Sequence, residues 1–148
     1  MTGERKIRVQ LKKRWQKNKL GDKKETEMRA DALIGKFLPP GTLEDFEVTN
    51  FIEEGSAEEF GETYYIELTE KKYIPSGFEG KQMRQKGYRI KRVLDFPIRG
   101  RKTVLEYKRR KWQIEGEPGI YIRPMEINAK GVKLSTEFAF FFSEEDRE

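Results

Sequence analysis

The sequence predicts an α+β fold, an antiparallel β-sheet of about five strands with a short N-terminal helix and a C-terminal helix. Three observations lead there. Apolar residues recur at helical spacing over residues 30–38 and again at Phe138, Phe141 and Phe142, the stripe of an amphipathic helix. Between them, five runs rich in β-branched and aromatic residues are separated by Gly, Pro and Asp. The length of 148 residues, with 35% hydrophobic and 12% aromatic side chains, supplies material for one core.

Residues 1–24 read as a basic arm. Arg5, Lys6, Arg8, Lys12, Lys13, Arg14, Lys17 and Lys19 are interleaved with only Ile7, Val9, Leu11 and Trp15 as sizeable apolar groups, too little burial to offset the entropy of ordering the segment alone. Residues 25–148 then form a single domain. Asp22 with Glu25 resembles a capping box for a helix carrying Ala30, Leu33, Ile34, Phe37 and Leu38, and Pro39-Pro40-Gly41 stops it. Thr42 to Phe46 makes one capped turn burying Leu43 and Phe46. From Glu47 the period changes to two, with Val48, Asn50 and Ile52 alternating, and Thr63 to Leu68 follows after an acidic loop, as expected of a hairpin with a long connection. Residues 88–94 and 102–114 are the next two strands, bent apart at Asp95 to Arg101, where Pro97 and Gly100 fall. Gly116 to Gly119 turns the chain into Ile120-Tyr121-Ile122, the fifth strand, and Leu134-Ser135 introduces the C-terminal helix.

The chain has no Cys and no His, which excludes disulfides, Cys or His nucleophiles, imidazole bases and Cys/His zinc sites. It has no run of about 18 apolar residues, the length a membrane span needs, and its polar start has no signal-peptide core, so the expected location is the cytoplasm. The net charge of +5 conceals segregation. Residues 1–29 carry +7, residues 41–80 carry −9, residues 81–111 carry +11 and residues 112–148 carry −4. Such blocks point to a polyanion-binding face with an acidic counterpart elsewhere.

The basic block holds the candidate site. Arg89, Lys91, Arg92, Arg99, Arg101, Lys102, Lys108, Arg109, Arg110 and Lys111 lie on two adjacent strands and the bend between them. Strand alternation puts Lys108 and Arg110 on one face and Arg109 and Lys111 on the other, with same-face neighbours roughly 6–7 Å apart, a spacing that suits a nucleic-acid backbone. Trp112, Tyr107 and Tyr88 beside them offer rings for stacking. A second pattern is enzymatic. Asp95 followed by Glu106-Tyr107-Lys108 has the form of a Mg²⁺-dependent nuclease site, two carboxylates for the metal and a lysine for the attacking water. Glu53, Glu54, Glu58, Glu59 and Glu62 form a solvated acidic loop, and no cofactor-binding motif or metal centre is expected there.

The run Phe37 to Thr49 and the run Leu94-Asp95-Phe96-Pro97-Ile98-Arg99-Gly100-Arg101-Lys102, with Lys108 to Lys111 closed by Trp112, resemble the N-terminal region of ISAon-type insertion-sequence transposases over about residues 33–142. The resemblance implies a DNA-recognition module without its catalytic domain, acting on insertion-element DNA and partnered by a separately encoded catalytic chain. The broader, ISL-three-like relatives have a zinc knuckle after the basic strand. Here Trp112 to Gly119 occupies that place without a metal ligand of the Cys or His type, so a hairpin held by packing is expected. The acidic segment 41–70 is a third candidate surface, for a basic protein partner.

Overall fold

The computed structural model describes residues 20–56, 58 and 61–145. Most of the basic arm therefore lies outside the described residues. The chain divides into two compact units, Met1–Pro40 and Gly41–Glu148. In the first, α1 runs Leu20–Gly35 and takes in Asp22 and Glu25. The helix closes on tightened bonds, Lys36 N–H to Leu33 O at 3.1 Å and Phe37 N–H to Ile34 O at 3.0 Å, before Pro39-Pro40 prevents continuation.

The second unit opens with a one-turn helix, α2 (Thr42–Asp45), entered through Gly41 at φ 81°. Four strands follow, β1 (Phe46–Glu54), β2 (Thr63–Glu70), β3 (Met83–Ile98) and β4 (Arg101–Ile114), and then α3 (Thr136–Glu145). The sheet order is β1-β2-β4-β3. The fold is α+β, as expected, but with four strands rather than five and a mixed sheet rather than an antiparallel one. β1–β2 and β3–β4 are antiparallel hairpins, and their second strands β2 and β4 lie side by side in parallel. β2 and β4 take the centre and contribute Ile66, Leu68, Leu105 and Tyr107 to the buried face. The expected fifth strand at 120–122 shrinks to one bridge, Tyr121 with Trp112, closed by two main-chain hydrogen bonds of 2.8 Å. The next rung would need the Arg110 N–H, which donates to the Glu70 carboxylate instead.

One sheet face buries Phe46, Ile66, Leu68, Val93, Leu105 and Tyr107, with Leu68 and Leu105 fully inaccessible. Each such side chain contributes about 1.5–3 kcal/mol by leaving water. Farther along β4 the buried residues are Trp112 and Ile114, which point to the opposite face because the strand alternates. The strand thus passes from one apolar cluster to another, and the cations 108–111 occupy the crossing.

At the turn of the β3–β4 hairpin, Arg99 and Gly100 have φ of 54° and 78°, the two positive values that a two-residue primed turn demands. Ser135 starts α3 by accepting the Phe138 N–H at 3.4 Å and ties the helix to β3 by donating to Asp95 Oδ1 at 2.6 Å. Phe138 packs on Phe96 with ring centroids 4.9 Å apart. No helix among the described residues is long and apolar enough to cross a membrane.

Burial pushes the Tyr107 phenol from 10.0 up to about 12, with a hydrogen bond from Thr42 acting in the opposite direction. A raised folded value means that the unfolded chain deprotonates first. Stability from this group is therefore complete below pH 10 and lost between pH 10 and about pH 12. Absorbance titration of the phenols is expected to show a late-ionising phase that Tyr107→Phe reduces, Tyr73 also being raised. A profile unchanged by that substitution would place the late titration elsewhere.

Candidate nucleic-acid interface

Register builds the basic site. Arg89 on β3 stands directly opposite Arg109 on β4, and the adjoining pair on the same face is Lys91 with Tyr107. Lys111 follows Arg109 on that face, facing the bulge at Lys86-Gly87, where Gly87 adopts φ 77°. Arg89 is exposed, and Lys91, Arg109 and Lys111 are half-buried. Among the described residues, Arg89, Lys91 and Lys111 have no carboxylate within 4.0 Å. Arg109 is held below the usual guanidinium range chiefly by burial, and Arg123 and Arg89 push it the same way, while Glu70 and Tyr73 oppose the shift. Like charges directly opposed on a sheet are destabilising, so the Arg89–Arg109 opposition, offset in part by Glu70, is relieved further when an anion joins this face.

The other predicted site residues divide into groups. On the opposite face, Arg92 pairs with Glu106 at 3.4 Å, Lys108 with Glu67 at 4.0 Å, and both Lys108 and Arg110 sit over the Tyr88 ring at 5.0 and 5.4 Å. At the hairpin turn Arg101 bonds Glu62 at 2.7 Å, whereas Arg99 and Lys102 are exposed. Trp112 is 7% accessible and Tyr107 3%. Neither presents a ring to a nucleic acid, which corrects the stacking role suggested by their position. Tyr88 is flanked by its own sheet's cations instead.

Arg109 and Arg110 are anchored by residues that sequence reading did not single out. β2 ends at Glu70, one residue short of Arg110 in the ladder, and the buried Glu70 carboxylate takes over as acceptor for the Arg110 N–H at 2.9 Å. Arg110 Nε donates to the Glu70 carbonyl at 2.9 Å and its guanidinium reaches Gln85. Arg123 Nη2 bridges Glu70 at 3.1 Å and Asp45 at 3.3 Å, stacks over Tyr73 at 4.3 Å, and its carbonyl accepts from Arg109. A sequence signal existed, since Ile66, Leu68 and Glu70 share a strand face and the third position is a carboxylate. Arg123 lies 53 residues on and offered none. Arg84 and Lys86, both exposed beside the cluster, also belong to the basic surface.

The same region holds four buried polar atoms without a hydrogen bond, Tyr73 Oη, Arg109 Nε, Trp112 Nε1 and Arg123 Nε. Tyr73 is raised above the usual phenol value by burial first and by Glu70 second, with the Arg123 backbone and Trp112 indole acting against them. The hydroxyl lies near the Arg123 backbone and the Trp112 indole without completing a well-formed hydrogen bond to either, so it carries a desolvation cost. Tyr73→Phe keeps the ring contacts with Trp112 at 5.6 Å and with Arg123, so its urea stability is expected to stay unchanged or rise by up to about 1 kcal/mol. A loss above ~1 kcal/mol would show that the hydroxyl has a strong partner.

The nuclease pattern does not assemble. Asp95 pairs with Thr103 and Arg92 with Glu106, and positions 103 and 106 point to opposite faces of β4. Asp95 is buried against Ser135, and Glu106 and Lys108 are occupied by Arg92 and Glu67 on the far face. No group of three or more metal-ligating side chains occurs among the described residues. No protein-family model, curated protein or solved structure matches the chain.

Proposed function

We propose that this chain is a non-catalytic DNA-binding module that grips the phosphate backbone with the basic face of its β3–β4 ribbon. The observation that carries the reading is the set Arg89, Lys91 and Lys111, at least partly exposed on one face beside the anchored Arg109, with no carboxylate within 4.0 Å among the described residues. A duplex supplies a row of anions that relieves the repulsion among these cations and rewards their spacing. Backbone contacts of this kind set affinity and register. The resemblance to insertion-sequence transposases narrows the proposal to DNA at the ends of a mobile element, bound in the cytoplasm, with catalysis supplied by a separately encoded chain.

The test is equilibrium binding of the full chain to a short duplex over a salt series. Neutralising about three phosphates or more through Arg89, Lys91, Lys111 and their neighbours predicts a slope of log K against log salt of about −2.7 or steeper. Binding that ignores salt, or no binding at low salt, would refute the reading.

A further inference from the structure

The two outer strands of the sheet differ. At β3 the outer edge is covered around Leu94, whose N–H donates to Lys133 O and whose carbonyl accepts from Ser135 N–H, both at 2.9 Å, and the strand includes Pro97. β1 pairs with β2 alone, and eight of its nine residues are exposed, among them Val48, Phe51 and Ile52. Natural edge strands are usually guarded by Lys, Pro or a covering segment. β1 has neither residue, and its one interruption is the bulge between Val48 and Asn50. There Asn50 Oδ1 takes the Phe51 N–H at 2.9 Å. The remaining main-chain groups of its outer edge have no partner among the described residues.

Charge decides what such an edge accepts. β1 carries Glu47, Glu53 and Glu54, and no Lys or Arg occurs between residues 41 and 70. Two copies pairing antiparallel about Asn50 would set Glu47 against Glu53, a like-charge opposition that weakens a sheet. Nucleic acid and anionic lipid meet the same repulsion. We propose that β1 is a docking edge for an extended basic segment of a partner polypeptide, which adds to the sheet as a fifth strand through main-chain hydrogen bonds. Its Lys and Arg heads reach the three carboxylates, and their methylene stems cover Val48, Phe51 and Ile52. The inference is independent of the DNA-binding reading, because it uses the opposite edge of the sheet.

The experiment is a fluorescence-anisotropy titration of the full chain with a labelled nine-residue peptide in which Lys or Arg alternates with Val or Thr. Its comparators are the same peptide N-methylated at alternate amides, its Glu/Asp counterpart, and the Glu53→Lys/Glu54→Lys chain, whose changes lie on exposed positions. Binding of the basic peptide, weakened at least about tenfold by N-methylation and by the double substitution, with the acidic peptide inert, is the expected result. Absence of binding, equal binding of the N-methylated peptide, or binding of the acidic peptide would overturn it. So would a concentration-dependent dimer of the chain that the double substitution tightens by placing opposite charges at 47 and 53, because that outcome assigns the edge to a second copy.

Discussion

Glu70→Ala is expected to remove about 3–5 kcal/mol of folding stability, read as a fall in the urea midpoint near neutral pH. The Glu70 side chain is fully inaccessible, accepts the Arg110 main-chain N–H that β2 leaves unpaired, and faces the Arg123 guanidinium at 3.1 Å. Truncation therefore orphans a ladder donor and leaves Arg109 and Arg123, which already repel each other, without their buried counter-charge. Uncompensated buried charge is the expensive outcome of breaking such a pair. Glu70→Gln keeps an acceptor for the N–H but loses the charge, so it should fall between wild type and alanine. A loss below about 1 kcal/mol for Glu70→Ala would show that water reaches and compensates the arginines.

The second large effect concerns binding. Replacing Arg89, Lys91 and Lys111 together with alanine is expected to weaken duplex binding by one to two orders of magnitude or more at moderate salt and to flatten the salt slope by about 2.7, at ~0.9 for each phosphate contact removed. These three side chains are at least partly exposed and have no carboxylate partner among the described residues, so the fold should tolerate the change. Arg109 is left in place because it bonds the Arg123 carbonyl beside Glu70. The contrasting variant is Arg92→Ala/Lys108→Ala on the other face, where both cations already have carboxylate partners. It should change the slope by much less. Equal losses in the two variants would mean a diffuse electrostatic attraction without a preferred face.

Much of the scaffold was legible in the residues. The two hairpins, the stop at Pro39-Pro40 and the phenylalanine stripe of α3 follow from local period and turn chemistry, which a sequence carries directly, whereas the bend read at Asp95 to Arg101 tightens to Arg99-Gly100 because β3 continues through Pro97 to Ile98. Arrangement was less visible. That β2 joins β4 in parallel, setting the two hairpins side by side, is a long-range choice, and residues 120–122 look like any other short strand although they make a single bridge, the next donor on β4, Arg110 N–H, being taken by Glu70.

The candidate site divides the same way. Alternation correctly separates Lys108 and Arg110 from Arg109 and Lys111, yet it is blind to which of these cations are spoken for. Glu70 and Arg123 are 53 residues apart and meet only because β2 ends just before Arg110. That long-range contact turns Arg109 and Arg110 into structural groups and leaves Arg89, Lys91 and Lys111 as the available ones. Trp112 looked like a stacking ring because it closes a basic run, but at that position the buried face of β4 has changed sides.

Amide chemical-shift mapping of the full chain on titration with a short duplex tests the central claim most directly. The largest perturbations are expected at residues 84–91 and 108–113, diminishing as salt is added, with β1 unaffected. Perturbations centred on β1 or α3, or none at low salt, would contradict the assignment of the β3–β4 ribbon as the DNA-binding surface.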